Sequence, residues 1–358
     1  MRRSAVLAVS LALAALHATP AVPAAADGPA PAPSQSGGAP EAADPLFRIT
    51  DERIQESSGL AASSRHDGVY WTHNDSGGYG PEIYAVDDQG RTLATVSLVG
   101  EGVEVRDWEA ISVGPGEDGE PAVYVGDIGD NFQGGWPNIR VYRLPEPRDL
   151  TDQTIRATTF TFTYEDGGRD SEAMMVDPDS GRLYVISKEV AGGVYAAPER
   201  LDAEGANTLT RVDSAPLYAT DAAFSPDGAH YAVRTYWSAS VYDASEGVRG
   251  RVVDRVSLPE SDQGESLAFS HDGSALLAGT EGPGSPVWSV PLDVPGADGE
   301  DGQDASEEAG GDAEDGGGAA SGSDEDDPAG TGAATLIWTG AGLAAVLIAA
   351  ITLLARRG

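Results

Sequence analysis

Three observations predict an all-β chain, and their fivefold recurrence makes the class a five-bladed β-propeller. Between residues 46 and 292, short β-branched and aromatic runs are broken by Asp-Gly, Gly-Gly and Ser-Gly turns, with no sustained helical periodicity. One strand word recurs at Ser58, Glu109, Glu172, Thr220 and Glu265, in steps of 51, 63, 48 and 45 residues. The last of these repeats lacks a fourth strand, while a spare strand stands upstream at Phe47.

Each repeat divides into four strands. The inner strands read Ser58-Gly-Leu-Ala-Ala, Glu109-Ala-Ile-Ser-Val, Glu172-Ala-Met-Met-Val, Thr220-Asp-Ala-Ala-Phe and Glu265-Ser-Leu-Ala-Phe. Second strands start at Val69, Val123, Leu183, His230 and Ala275, and third strands at Ile83, Arg140, Val194, Val241 and Val287. Fourth strands are expected at Thr92–Leu98, Thr158–Thr163, Thr208–Asp213 and Val252–Leu258. The segment from Phe47 to Ile54 leads into Ser58 as the other fourth strands lead into their next repeat, so it is expected to complete the fifth blade. Such closure hides the strand edges of the ring. Six blades are the alternative, because the 63-residue step has room for more structure.

The flanks carry signals of a different kind. Arg2 and Arg3, an apolar run from Ala5 to Leu16 and small residues at 24–26 read as a secretory signal peptide. Leu336 to Ala355 is free of charge and long enough to cross roughly 30 Å of hydrocarbon. Arg356 and Arg357 after it set the cytoplasmic side. The expected order is a signal peptide (1–26), a flexible leader (27–45), the propeller (46–293), a disordered acidic stalk (294–334), one C-terminal transmembrane helix (335–355) and a cytoplasmic tail (356–358). This places the propeller outside a cell membrane as a single-pass protein. Pro328-Ala-Gly-Thr-Gly332 resembles the Leu-Ala-x-Thr-Gly signal of actinobacterial sortases, with Pro328 in place of Leu, so a sortase-linked wall form is the alternative.

Composition narrows the chemistry. A formal charge of −36 argues against a nucleic-acid polymer as partner, since that affinity rests on Lys and Arg neutralising phosphates. Without cysteine there are no disulfides, thiolate ligands or cysteine nucleophiles. Setting aside the 13 stalk acids and the four terminal arginines leaves residues 27–296 at −27, which favours cations nearby. Gly-x-Ser-x-Gly and Gly-Lys-Ser/Thr are both absent.

In an antiparallel blade the start of the first strand and the end of the second share one face of the disk. Ser58, Glu109, Glu172, Thr220 and Glu265 begin the inner strands there. His73, Asn74, Asp75, Asp127, Asp130, Asn131, Lys188, Glu189, Arg234 and Glu281 follow the second strands. Three carboxylates and two hydroxyls around one channel repel unless a cation joins them, and all-oxygen ligands suit calcium. The alternative is that these acids cap loops or bind water.

The ring order, Ser58, Glu109, Glu172, Thr220 and Glu265, resembles the Ser, Glu, Glu, Ser, Glu set that binds calcium in the five-bladed soluble calcium-activated nucleotidases, or apyrases. Tyr124-Val-Gly-Asp-Ile-Gly-Asp-Asn is similar to that family's Tyr-Val-Gly-Gly-Leu-Gly stretch, and Asn74-Asp75-Ser76-Gly77 to its Asp-Asp-Arg-Thr-Gly turn. Lys188 and Arg234 fall where the family carries phosphate-holding basic residues, with Lys188 replacing a paired-arginine string. A looser likeness is to esterase-like phytase propellers. Ala223-Phe-Ser-Pro-Asp-Gly and Ala268-Phe-Ser-His-Asp-Gly resemble WD-repeat-like bacterial propellers.

The resemblance implies calcium-dependent hydrolysis of a nucleotide or other phosphoester. Lys188 and Arg234 would offset the developing charge, and Asp75 or Asp127 would orient or deprotonate water, with His73 the less favoured base. The competing expectation is a non-catalytic, calcium-stabilised propeller whose acidic face binds a cell-wall component or a partner protein.

Overall fold

The computed structural model describes residues 44–75, 78–132, 134–261 and 263–293. The expected signal peptide, stalk, membrane helix, tail and sortase-like motif lie outside these residues, as does nearly all of the leader. Every regular element among the described residues is a strand.

A short strand β1 (Phe47–Arg48) precedes the first antiparallel meander, β2 (Ser57–Ala62), β3 (Val69–Asn74), β4 (Glu82–Asp87) and β5 (Thr92–Val99). The second runs through β6 (Trp108–Pro115), β7 (Pro121–Asp127) and β8 (Ile139–Pro145), passes the short β9 (Gln153–Arg156), and ends at β10 (Thr158–Tyr164). The third comprises β11 (Ser171–Val176), β12 (Leu183–Ser187), β13 (Gly193–Ala196) and β14 (Ala206–Ser214). The fourth is β15 (Ala219–Phe224), β16 (His230–Thr235), β17 (Ser238–Asp243) and β18 (Val252–Ser257). The last is β19 (Gly264–Phe269), β20 (Ala275–Thr280) and β21 (Pro286–Pro291), with β1 as its fourth strand.

Two parallel pairings modify this plan. β10 runs beside β14, matching Thr161 to Ala206 and Tyr164 to Leu209, which joins the second and third meanders into one eight-stranded sheet. β9 runs beside β5, matching Val96 to Gln153. The long 63-residue step is therefore occupied by an added edge strand, and no sixth meander is present among the described residues.

The inner strands β2, β6, β11, β15 and β19 pack each against the next, and β19 returns to β2. This gives the all-β fold its propeller-like closure. Their side chains are almost all buried, whereas the outer strands β14 and β18 alternate toward solvent. Apolar clusters fill the gaps between neighbouring meanders. Trp71, Trp108 and Tyr142 pack between the first and second, Phe160, Phe162 and Tyr195 between the second and third. Burial of these faces, which no single sheet achieves alone, is what favours the ring.

Closure depends on a short stretch of backbone. Phe47 pairs with Val287 and Arg48 with Pro286, after which Ile49 N donates to Ser285 O at 2.9 Å. Thr50 N then donates to Gly90 O at 3.0 Å, carrying the chain across to the first meander. Gly90 has φ +74°, and a Cβ there would collide with the Arg48 carbonyl, so this crossing requires glycine. Phe47, Ile49 and Ile54 are buried with Leu60, Tyr70 and Val287 in the seam between the last and first meanders.

Phe47→Ala is therefore expected to cost about 3–5 kcal/mol, read as a lower urea midpoint. Leu46, 51% exposed beside it, is the control: Leu46→Ala is expected to change stability by less than about 0.5 kcal/mol. Equal midpoints for the two variants would show that burial of Phe47 in the closing seam contributes no stability.

Candidate functional site

All five ring residues stand at one structural irregularity. The pairing of each inner strand with its neighbour slips at its start: between Ser57 and Leu60, Trp108 and Ala110, Ser171 and Ala173, Ala219 and Asp221, and Gly264 and Leu267. Ser58, Glu109, Glu172, Thr220 and Glu265 fall inside these five bulges. A bulge bends the strand and re-aims the extra side chain, so the repeat in sequence is also a repeat in backbone geometry. All five residues are buried.

Ring members reach across to the adjacent meander. Ser58 Oγ donates to Glu109 O at 3.1 Å or to Glu109 Oε2 at 3.0 Å, and Thr220 Oγ1 donates to Gly264 O at 3.2 Å. Lys188 Nζ lies 2.5 Å from Glu172 Oε1 and 5.2 Å from the centre of the Tyr236 ring. Glu265 Oε2 is buried without a hydrogen-bond partner among the described residues.

The carboxyls at this end hold their protons more tightly than usual. Burial raises Glu109, and the neighbouring Glu172, Asp75 and Asp107 charges raise it further. Burial likewise raises Glu172 and Glu265, with Lys188 pulling both back. Burial, then Glu265, Asp75 and Glu56, pushes Glu281 up to about 8. Burial works against the charge of Lys188, but Glu172 and Glu265 outweigh it and hold the ammonium above the ordinary lysine range.

Among the described residues, Asp75, Asp107 and Glu109 form a close acidic group, with one ligand oxygen from each lying within 4.8 Å of the others. Asp75 follows β3 directly, and its N–H donates to Glu56 O at 2.8 Å. Asn131 Nδ2 donates to Asp107 Oδ2 at 3.0 Å and approaches Oδ1 at 3.2 Å, which orients that carboxylate. Gly129 passes so close that a Cβ would sit 2.6 Å from Asp107 Oδ2 and 2.8 Å from Glu109 Cγ. The Gly-Asp-Ile-Gly-Asp-Asn string thus folds over the group. Three carboxylates with no nitrogen or sulfur suit a hard divalent cation and do not by themselves select calcium.

Asp107 was not among the residues expected from sequence. Its signal was its place two residues before Glu109, but only the bulge at Glu109 and the returning Gly129 segment bring both acids to Asp75. Asp127, expected to orient or deprotonate water, is buried and engaged by donors around the second meander. It accepts from Arg106 N at 3.2 Å, Arg106 Nε at 2.8 Å, Asp107 N at 2.9 Å and Tyr142 Oη at 2.9 Å. These bonds fix the backbone that presents Asp107.

Arg234 is also committed within the fold. It is 1% exposed, and its Nη1 donates to Ser266 O at 2.6 Å and Gly279 O at 2.8 Å, tying the fourth meander to the fifth. Burial lowers its pKa to about 10, against the opposing pull of Glu265 and Asp221. His73 is buried against Trp108, its rings 6.0 Å apart, and burial drops it to about 4, so it is neutral at pH 7.

No protein-family model and no curated protein matches the chain. Among solved structures it is similar to the hydrazine synthase of Kuenenia stuttgartiensis, at 16% identity and TM-score 0.36, over 63% of this chain and 61% of that one. It is similar also to a gluconolactonase of Xanthomonas campestris, at 16% identity and TM-score 0.40, over 69% of this chain and 88% of that one. The match thus spans about three fifths of the hydrazine synthase chain.

The raised pKa of Glu281 fixes the sign of a pH effect. Its stabilising contribution is complete below about pH 4.5, the ordinary value, and is lost as pH rises through about 8. In chelator, the melting temperature is expected to fall between about pH 5 and pH 9, and Glu281→Gln, which cannot ionise, to flatten that fall. Calorimetric scans across the range check this, and an unchanged slope in the variant would assign the effect to another group.

Proposed function

We propose that this chain is a five-bladed β-propeller that holds a divalent cation beside one end of its axis and uses it to stabilise a binding face. The observation that carries the reading is the convergence of Asp75, Asp107 and Glu109. Calcium is the ion proposed, because carboxylates on loops and bulges provide the oxygen-only, adaptable set it prefers. The remaining ring residues, Ser58, Glu172, Thr220 and Glu265, line the axis beside this site, with Glu172 paired to Lys188.

Turnover is the less favoured use of the site, because both basic residues proposed to hold phosphate are engaged. Lys188 is paired with Glu172, and Arg234 is spent on backbone carbonyls. A calcium-dependent phosphohydrolase is kept as the second reading on one observation: Glu281, raised to about 8, carries a proton at neutral pH and could donate it to a leaving group. In that reading Asp75 orients water, Lys188 and Arg234 set the local positive field, and Asp127 positions Asp107. Bound calcium would supply charge opposite a phosphate oxygen. The partner proposed for the binding reading is a cell-wall component or another protein, met outside a membrane to which residues 335–355 anchor the chain.

The full chain is expected to melt several degrees higher in calcium than in chelator. A ligand at a hundredfold excess over its Kd contributes about 2.7 kcal/mol to the folded state. Asp107→Asn is expected to remove most of that shift. A wild-type melting temperature indifferent to calcium, magnesium and manganese would overturn the metal site. Phosphate release from nucleoside diphosphates, assayed alongside, separates the readings: calcium-dependent turnover lost in Glu281→Gln establishes the hydrolase, and none is expected.

A further inference from the structure

Lys188 is the only lysine in the chain, and the other 21 basic side chains are all arginine. It stands directly after β12, beside the bulge that carries Glu172. Its Nζ lies against Glu172 Oε1 at 2.5 Å, and the face of Tyr236 covers it at 5.2 Å. A carboxylate on one side and an aromatic face on another form a cradle for a compact cation. The charge of Lys188 also acts on Glu109, Glu265 and Glu281.

Arginine would not serve in this place. Its planar fork seeks two or more acceptors in fixed directions, as Arg234 shows with its two carbonyls, whereas an ammonium is a point charge that balances acids on several sides. A second observation bears on the same spot. Glu265 is 2% exposed and its Oε2 has no hydrogen-bond partner among the described residues. A buried carboxyl retains its proton or gains from positive charge nearby, and Lys188, ahead of Arg234, supplies such charge to Glu265.

We propose that Lys188 is the resident cation of the axial ring, a tethered ammonium that fills among Glu109, Glu172 and Glu265 the role a metal ion would have, and so confines divalent cations to the Asp75, Asp107 and Glu109 side. This rests on the metal site proposed above for the second half of the statement only. The ring residues that resemble a calcium set are, on this reading, already neutralised from within. The lysine then decides how many ions the chain takes.

The test is a count of tight calcium sites by titration calorimetry on the full chain, wild type against Lys188→Met. Both carry the same acidic segments, so the difference between them isolates the axis. Lys188→Met is expected to bind one more tight calcium than wild type, and Lys188→Met with Asp107→Asn to keep that extra ion while losing the other. Equal counts in wild type and Lys188→Met would overturn the proposal. A wild type that binds none while Lys188→Met binds one would overturn the off-axis site alone and leave the tethered cation standing. Should Lys188→Met unfold in chelator, refolding on addition of calcium supports the inference. Failure to refold, while Lys188→Met/Glu172→Gln folds without any metal, counts against it.

Discussion

Like charge brought together inside a protein must be neutralised, and that requirement organises one end of this molecule. Five inner strands converge on one axis, and the bulge at the start of each carries a polar side chain, three of them glutamates. Isolated buried carboxylates are costly, so they retain protons or find a cation. Both responses are visible here. Glu281 and the ring glutamates titrate late, and Lys188 stands among them as counter-charge.

The ring tolerates this crowding because its backbone is held elsewhere. Apolar packing between successive meanders sets the positions of the inner strands, and the closing strand β1 joins the last meander to the first. Polar clamps add direction to that packing. Arg234 bridges the fourth and fifth meanders through two carbonyls, and Asp221 reaches across the same boundary to accept from Leu267 N at 2.6 Å. Asp127 performs a local version of the task by fixing Arg106 and Asp107. Buried charges used as clamps are engaged within the fold rather than turned toward a ligand.

Much of the architecture was legible because strand periodicity and turn residues are local signals. The inner-strand words at Ser58, Glu109, Glu172, Thr220 and Glu265 coincide with β2, β6, β11, β15 and β19, and the spare strand at Phe47 pairs where the missing fourth strand belongs. The extra length before Glu172 was open to another reading, since nothing local distinguishes a hidden blade from β9 lying along a neighbour's edge.

The order of strands, the register of the five polar positions and the excess of acid over base were determined by the sequence itself, because each is a property of neighbours along the chain. Which acids meet was decided only by tertiary structure. Asp75 and Asp107 are 32 positions apart, and they approach because a bulge turns Glu109 and the Gly129 segment returns over both. The same holds for the basic residues. Lys188 and Arg234 look alike as charges in the sequence, but folding buries Arg234 against carbonyls and leaves Lys188 facing carboxylates, and desolvation makes those two surroundings chemically opposite.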